Sequence, residues 1–200
     1  MILLIAIALA YLLGSIPTSF WLGKLVKGID IREHGSKNPG ATNALRVLGK
    51  PLGFTTLLVD ILKGTAAVLV AMKLLGITLD WQLLLVGLAA VSGHIFTLFL
   101  RFKGGKGVAT TFGIFLALAP WATIYTLGIF IIVVTLSRYV SLGSIISAVC
   151  FPLFIYLIDG NILYTALAIL IGTFIIWRHR SNIQRIREGK ENKIFNKTTA

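Results

Sequence analysis

Seven apolar stretches, separated by short segments that hold almost all of the charged residues, constrain the fold of this chain more than any other feature. A helix needs about 20 apolar residues to cross the hydrocarbon core of a bilayer. The predicted spans are residues 1–22, 51–75, 81–100, 108–119, 121–137, 144–158 and 162–177. A composition of 56% hydrophobic and 13% charged residues is too apolar for a soluble domain of 200 residues. We therefore predict an all-α, polytopic membrane helix bundle with seven transmembrane helices, in which residues 1–200 form a single integral membrane domain.

Residues 108–137 are the ambiguous part of this assignment. The stretch has Pro120 near its middle, and as one straight helix it would be about 45 Å long. Two helices broken at Pro120 and Trp121 fit a bilayer better. The first of the two would be only about 18 Å long, which leaves open a buried short helix, a re-entrant hairpin or a locally thinned membrane.

The basic residues indicate the orientation of the chain. All of the 19 Lys and Arg residues except Lys63 and Lys73 fall in residues 23–50, 101–107, 138–143 and the C-terminal tail, which includes Lys197. Because cytoplasmic loops carry an excess of Lys and Arg, we predict that these segments and the C-terminus are cytoplasmic and that the N-terminus is outside. No basic residue precedes the first apolar stretch, so we interpret it as a retained span and not as a signal peptide. The charge of +12 then follows from topology, and we predict no nucleic-acid partner.

The first cytoplasmic segment is too long for a simple connection, and its middle is rich in groups that bind anions. Arg46 offers a guanidinium fork that matches a phosphate group. The other candidate phosphate-binding residues of this segment are Ser36, Asn38, Thr42 and Asn43. The alternative is a structural turn at Asn-Pro-Gly, followed by a helix that Asn43 caps.

The second cytoplasmic segment is a basic, glycine-rich loop that leads directly into a helix near Val108. Glycines let a backbone approach an anion closely, and the helix N-terminus adds N–H groups and a positive dipole end. The candidate phosphate-binding residues of this loop are Lys103, Gly104, Gly105, Lys106 and Gly107. The loop lacks the first glycine and the Ser or Thr of a Walker motif. The alternative is a flexible basic turn that faces anionic lipid headgroups.

The third segment and the tail contribute further polar residues. Ser144 opens a predicted helix, where it could also be an ordinary N-cap. His179 lies among cationic residues, which favour its neutral, proton-accepting form. A surface histidine without a function is the alternative. Because the predicted helices that start near 51, 108 and 144 all begin at the cytoplasmic face, we expect their N-termini to act on one anionic ligand.

Asp60 and Lys63 are charged residues inside a predicted span. They are three positions apart, on one face of a helix, and we expect them to face the interior or a water-filled cavity. The sequence leaves open whether the two residues bind substrate or form a structural ion pair. His94, beside Gly93, is expected to be a packed histidine and not a base. No metal-ligand spacing is present, and we predict no metal and no cofactor.

At these residues the sequence resembles the bacterial acyl-phosphate-dependent glycerol-3-phosphate acyltransferases. The segments that carry the resemblance are residues 36–43 (SKNPGATN), 102–109 (FKGGKGVA) and 179–183 (HRSNI), with Asp60-x-x-Lys63-Gly64 as a further one. Their occurrence in this order is highly specific, and the resemblance covers essentially the whole chain.

The resemblance implies transfer of a fatty acyl group from acyl phosphate to the 1-hydroxyl of sn-glycerol 3-phosphate. The products would be lysophosphatidic acid and inorganic phosphate, in the first acylation of phospholipid synthesis. The residues implied to line the site are Ser36, Arg46, Lys106, Ser144, His179 and Asn182, with Thr42, Asn43 and the glycine loop nearby. The resemblance also implies the bacterial inner membrane as location, a cytoplasmic active site, and acyl phosphate, glycerol 3-phosphate and membrane lipid as partners.

Two other classes of function are compatible with basic loops on a membrane protein. A transporter of an organic phosphate or another anion predicts ionisable residues near the bilayer midplane, and Asp60 and Lys63 are the residues that favour it. A non-catalytic scaffold would use its basic loops to bind anionic lipids. The oligomeric state and the preferred acyl-chain length are not predicted.

Overall fold

The computed structural model describes residues 1–194, and within this range the secondary structure is helical, without a strand. The chain forms two compact units, residues 1–118 and 119–200. The prediction of a single domain stays a prediction, and Lys197 lies outside the described residues.

The first unit is built from six α-helices. They are α1 Ile2–Ser15, α2 Thr18–Lys27, α3 Ala41–Val47, α4 Lys50–Leu69, α5 Asp80–Ile95 and α6 Val108–Leu118. A π-helical turn, Val70–Leu74, extends α4, and a 3-10 turn, Leu98–Leu100, follows α5. These bounds agree with predicted helices at 51–75 and 81–100.

The span predicted over residues 1–22 corresponds to one candidate membrane span, Ile2–Lys27, which consists of two helices. The chain is interrupted at Ile16 and Pro17, between α1 and α2. Proline has no N–H to donate and its ring clashes with the preceding turn, so it starts a helix more readily than it continues one. The second helix then continues beyond residue 22 to Lys27, where Gly28, with a φ of 68°, ends it.

Glycines allow the helices of the first unit to pack with their backbones in contact. A Cβ on Gly64 of α4 would collide with the Thr110 carbonyl of α6, and a Cβ on Gly113 of α6 would collide with the Ile61 carbonyl of α4. The Thr65 hydroxyl donates a hydrogen bond of 2.8 Å to the Gly113 carbonyl across the same contact. Small residues and hydroxyl hydrogen bonds at such contacts are typical of membrane helices, which gain little from the hydrophobic effect when they associate.

In the second unit, residues 119–194 contain four α-helices. They are α7 Pro120–Ser137, α8 Val140–Phe154, α9 Ile162–Arg178 and α10 Arg180–Arg187. The bounds of α6 and α7 place a break at Ala119, next to the predicted one at Pro120.

The predicted start of a helix at Ser144 is wrong, because α8 begins four residues earlier. Arg138 adopts a left-handed φ of 63° that ends α7, and Tyr139 is the N-cap of α8. The turn is tight because the Tyr139 N–H donates to the Ser137 hydroxyl at 3.1 Å. Ser144 is therefore not a cap but a residue of the second turn.

Several helical segments are long and apolar enough to cross a membrane. Four qualify within the described residues, namely Ile2–Lys27, Asp80–Leu100, Pro120–Ser137 and Val140–Asp159. A fifth is present if α9 and α10, which are bent by 54°, are counted together. These helices indicate a multi-pass membrane protein. The count of seven spans and the orientation of the termini stay predictions.

The α4–α6 contact can be tested with matched glycine substitutions. We expect Gly113→Ala to lower the thermal unfolding midpoint in detergent, because an overpacked contact costs about 1–3 kcal/mol. Gly128→Ala in α7 is the control, since a Cβ there would meet nothing within 4 Å. It should be neutral or stabilising by at most about 1 kcal/mol of helix propensity. Equal midpoints for the two variants would contradict the close contact.

Candidate functional site

Asn43 organises the first predicted phosphate-binding segment through its side chain. Its Oδ1 accepts a 2.9 Å hydrogen bond from the Ser36 N–H, while its Nδ2 donates to the carbonyls of His34 at 3.0 Å and Ile31 at 3.3 Å. The N-cap of α3 is Gly40 and not Asn43, so the alternative of a capping asparagine is wrong. Asn43 is buried, and because its amide is bonded to the backbone we assign it the role of holding Ser36 in place.

The other candidates of this segment lie around α3. Ser36 and Arg46 are exposed, and Asn38 and Thr42 are partly buried. The Asn38 carbonyl accepts from the Gly40 N–H at 2.9 Å, which closes the turn before α3. The segment therefore presents one hydroxyl and one guanidinium at its surface, on a backbone that buried groups hold.

Asp30 and Arg32, which sequence reasoning missed, secure the start of the segment. The Arg32 Nη2 and Nε donate to the Asp30 carboxylate at 2.7 and 3.0 Å, and the Arg32 N–H donates to Asp30 Oδ1 at 3.0 Å. The Arg32 guanidinium lies 4.8 Å from the centre of the Phe20 ring. The bonds from Arg32 outweigh the effect of burial and lower the pKa of Asp30 to about 2.

In the glycine-rich loop, the Gly104 and Gly105 amides have a different role from the predicted one. The Gly104 N–H donates to the Ile95 carbonyl at 2.9 Å, and the Gly105 N–H donates to the His94 carbonyl at 3.2 Å. A Cβ on Gly104 would collide with the His94 carbonyl, and one on Gly105 with the His94 ring. The structure thus uses both glycines to fasten the loop to the end of α5, and this geometry does not support phosphate binding by their two N–H groups.

Phosphate binding by the other three candidates of the loop, Lys103, Lys106 and Gly107, stays a prediction. Lys103 is exposed and Lys106 is half-buried. Gly107 has a φ of 85°, and its carbonyl accepts the first hydrogen bond of α6, from the Thr111 N–H at 2.8 Å. Amides before that bond lack intrahelical partners, as in the first turn of any helix. Lys106 therefore lies directly before a helix N-terminus.

Asp60 and Lys63 form a buried ion pair in α4. Their side chains are 2.8 Å apart, and the residues are only 2% and 5% exposed. Lys63 Nζ also donates to the Ile16 carbonyl at 2.8 Å, where α1 and α2 are interrupted, and the Thr18 hydroxyl donates to Asp60 Oδ1 at 3.2 Å. Both charges are thus hydrogen-bonded, which a buried ion pair requires.

A small pocket, open at its mouth, adjoins this pair. Its wall consists of Ser15, Ile16, Pro17, Thr18, Pro39, Asp60, Lys63, His94, Thr97, Leu100, Gly104 and Gly105. His94 is buried, as predicted for a packed histidine, and its Nδ1 lies 3.0 Å from the Thr110 hydroxyl and 3.9 Å from Asp60 Oδ1. The pocket places the ion pair and the two loop glycines around one small polar space.

In the second unit, Ser144 is bonded to a carbonyl of its own helix, and His179, directly after α9, is bonded to a carbonyl of α9. The Ser144 hydroxyl donates to the Val140 carbonyl at 2.9 Å. His179 is only 3% exposed, which rules out the alternative of a surface histidine, and its Nδ1 lies 2.8 Å from the Ile175 carbonyl. Since a carbonyl only accepts, Nδ1 carries the hydrogen, and in the neutral ring Nε2 is the basic nitrogen.

Asn182 is held by a carboxylate that sequence reasoning missed. The Asn182 Nδ2 and the Ser141 hydroxyl donate to Glu191 Oε1 at 2.7 and 2.8 Å, and the Arg185 Nε donates to Glu191 Oε2 at 2.7 Å. Although burial raises the pKa of Glu191, these three bonds together lower it below the ordinary value. The Asn182 amide is therefore oriented with its nitrogen toward Glu191.

The segment that carries Glu191 folds back on the start of α8. The Ile194 N–H donates to the Arg138 carbonyl at 2.8 Å. A negative charge beside the first turn of a helix is stabilised by the helix dipole, and Ser141 lies in that turn. The basic tail holds two acids, Glu188 and Glu191, and nothing in the sequence separates Glu191 from its neighbour.

Within the described residues, no cluster of three or more His, Cys, Asp or Glu side chains could hold a metal ion. In the first unit the structure brings Asp60 and Lys63 together beside Gly104 and Gly105, and it joins Asn43 to Ser36. Arg46 lies on the separate helix α3.

The apolar helices together with these basic and hydroxyl-bearing loops define a polytopic membrane protein with a candidate site for phosphate groups. The model of the glycerol-3-phosphate acyltransferase family matches residues 4–189. The chain belongs to this family. A relative from Geobacter sulfurreducens, a glycerol-3-phosphate acyltransferase, is 49% identical over 95% of this chain and 96% of its own.

Two solved structures show the same fold. The glycerol 3-phosphate form of PlsY (YgiH), an integral membrane glycerol 3-phosphate acyltransferase, has a TM-score of 0.90 and is 41% identical, over 96% of this chain and 95% of its own. Its lysophosphatidic acid form has a TM-score of 0.87 and is 40% identical over the same shares.

Because Asp60 and Lys63 form a buried ion pair, we expect the loss of one partner to destabilise the protein more than the loss of both. Asp60→Leu leaves the Lys63 charge buried without its partner, and we expect it to cost about 3–5 kcal/mol of stability. Lys63→Met should cost a similar amount, whereas the double variant should recover much of the loss because no buried charge remains. The check is the thermal midpoint of the three variants in detergent. A double variant that loses the sum of the two single effects would show that the pair is not coupled.

Proposed function

We propose that the chain transfers a fatty acyl group from acyl phosphate to the 1-hydroxyl of sn-glycerol 3-phosphate, which gives lysophosphatidic acid and inorganic phosphate. The observation that carries the proposal is the match to an acyltransferase crystallised in its glycerol 3-phosphate form, over nearly the whole length of both chains. The lysophosphatidic acid form of that protein supports the identity of the product.

The chemistry of an acyl phosphate suits the groups that the loops provide. The substrate hydroxyl attacks the acyl carbon, the new ester C–O bond forms, and the bond from the acyl carbon to the phosphate oxygen breaks. Phosphate is a good leaving group, so the reaction needs no covalent enzyme intermediate, and the protein contributes orientation and neutralisation of charge. Lys106, Arg46 and the start of α6 are cationic or electropositive groups of the required kind.

We assign the glycerol phosphate to Ser36 and Arg46. Both are exposed, and the bond from the Ser36 N–H to Asn43 fixes the serine backbone. We assign the acyl phosphate to Lys106 and Ser144. The Ser144 hydroxyl donates to the Val140 carbonyl, so it must rotate on binding in order to donate to a phosphate oxygen instead.

We assign His179 and Asn182 to the attacking hydroxyl. The bond between His179 Nδ1 and Ile175 leaves Nε2 as the basic nitrogen of the neutral ring. The bond from Asn182 Nδ2 to Glu191 fixes the plane of the amide. The proton of the hydroxyl goes either to His179 or to a phosphate oxygen of the substrate.

We further infer seven spans, an external N-terminus and a cytoplasmic active site in the bacterial inner membrane. The distribution of Lys and Arg supports this orientation. Both substrates would then be reached from the cytoplasm, while the acyl tail stays in the bilayer. The alternative of an anion transporter rests on Asp60 and Lys63, and these two residues are bonded to each other and to residues around the Pro17 break.

The acyl donor is tested with purified protein in detergent. Incubation with palmitoyl phosphate and glycerol 3-phosphate should release inorganic phosphate and lysophosphatidic acid in equal amounts. Palmitoyl-CoA in place of palmitoyl phosphate is the control donor and should give no product. Product from the CoA ester alone, or none from either donor, would refute the proposal.

The role of His179 is tested by His179→Gln, because glutamine keeps hydrogen-bonding groups but takes up no proton at neutral pH. If His179 is the base, kcat should fall about 10²- to 10⁴-fold, and the loss of activity at low pH should disappear from the profile of kcat/KM. His34→Gln, at an exposed histidine, is the matched control. A variant with near-normal kcat and an unchanged pH profile would assign the proton to the substrate phosphate.

A further inference from the structure

His94 touches the loop that carries Lys106 at two places. Its carbonyl accepts the Gly105 N–H at 3.2 Å, and its ring packs so closely on Gly105 that a Cβ there would collide with Nε2. Its Nδ1 lies 3.0 Å from the hydroxyl of Thr110, in the first turn of α6. His94 thus contacts the residue directly before Lys106 and a residue four positions after it.

A rigid support lies behind the histidine ring. His94 Nδ1 is 3.9 Å from Asp60 Oδ1, and that carboxylate is bonded to Lys63 and to the Thr18 hydroxyl. Both members of the ion pair are buried and hydrogen-bonded. The position of the ring is therefore set from α4 and α5, elements that the loop itself does not include.

The backbone position of Lys106 depends on the position of His94, because His94 contacts the chain on both sides of Lys106. Gly105 and Thr110 are fixed at either end, and the Gly107 carbonyl is already engaged by the Thr111 N–H at 2.8 Å. With so few residues between fixed points, a displacement of either end moves the backbone of Lys106. A displacement of about 1 Å at a reacting group can cost about 100-fold in rate.

We propose that His94 is a positioning residue for the Lys106 loop and that the Asp60–Lys63 pair acts through it on the binding of acyl phosphate. The inference rests on the proposed function, in which Lys106 holds the phosphate group of the acyl donor. It predicts an effect on one substrate, because Ser36 and Arg46 lie on other elements.

The test uses His94→Leu, Thr110→Val and the double variant, with KM measured for each substrate. Each single variant should raise KM for palmitoyl phosphate about tenfold, which corresponds to a loss of about 1.4 kcal/mol of binding free energy. KM for glycerol 3-phosphate should change less than twofold. KM of the double variant for palmitoyl phosphate should not exceed that of the single variant with the higher KM, because both substitutions break the same contact.

Two matched variants separate positioning from general destabilisation. Thr123→Val changes an equally buried threonine whose hydroxyl donates to the Ala119 carbonyl at 2.8 Å within α7, and it should leave both KM values unchanged. His94→Asn places an amide near the position of Nδ1, so it should restore KM for palmitoyl phosphate to within about threefold of the wild type when the Thr110 contact is the one that matters.

The outcomes distinguish this inference from the proposed function. A wild-type protein without activity toward palmitoyl phosphate refutes the proposed function. An active wild type, together with a Thr110→Val variant of unchanged KM for that donor, overturns the positioning role. The same conclusion follows if KM rises equally for both substrates. If His94→Leu does not fold, the nearly isosteric Thr110→Val variant still decides the question.

Discussion

The buried ion pair between Asp60 and Lys63 is the interaction on which the first unit depends. Two charges inside an apolar helix are costly unless they are paired and hydrogen-bonded. The chain meets that requirement by interrupting its first apolar segment, because the break at Pro17 exposes the Ile16 carbonyl to Lys63 and brings the Thr18 hydroxyl to Asp60. The break between α1 and α2 and the charged residues of α4 thus stabilise each other. The small pocket beside the pair, with the loop glycines at its wall, follows from the same need.

A common device positions the candidate binding residues in both units. In each unit, one residue proposed to touch substrate is held by a buried polar side chain that contacts its backbone or its side-chain amide. Asn43 does this for Ser36, and Glu191 does it for Asn182. Because the acyl phosphate is already activated, catalysis depends on the positions of charges more than on nucleophiles. Buried polar groups that hold loop backbones in place suit a reaction that depends on the positions of charges.

Sequence reasoning was successful where local pattern decides structure. The apolar stretches, the break near Pro120 and the spacing of Asp60 and Lys63 all predicted features that the structure shows. It failed where the decisive contact joins distant residues. The Gly104 and Gly105 amides donate to α5 carbonyls, and nothing in the glycine pattern separates that use from anion binding. Glu191 gives no motif of its own, and its meaning appears only when the chain folds back onto Ser141. The start of α8 depended on the left-handed conformation of Arg138, which a non-glycine residue adopts uncommonly.

In a membrane protein, sequence alone does not separate glycines that allow close packing from glycines that bind an anion or adopt a positive φ. In a bilayer, helices associate through close backbone contact, so glycine serves packing as well as freedom of the backbone. Gly64 and Gly113 serve packing between helices, and Gly104 and Gly105 serve the same purpose between a loop and the end of a helix. Gly107 differs, because its φ of 85° lies where other residues are strained. One short loop therefore contains glycines for packing, Gly104 and Gly105, and a glycine with a positive φ, Gly107. Only Gly107 lies at the start of α6, beside Lys106. The glycines of this loop therefore identify a place where backbones approach closely, and it is Lys106 together with the start of α6 that we propose to bind phosphate.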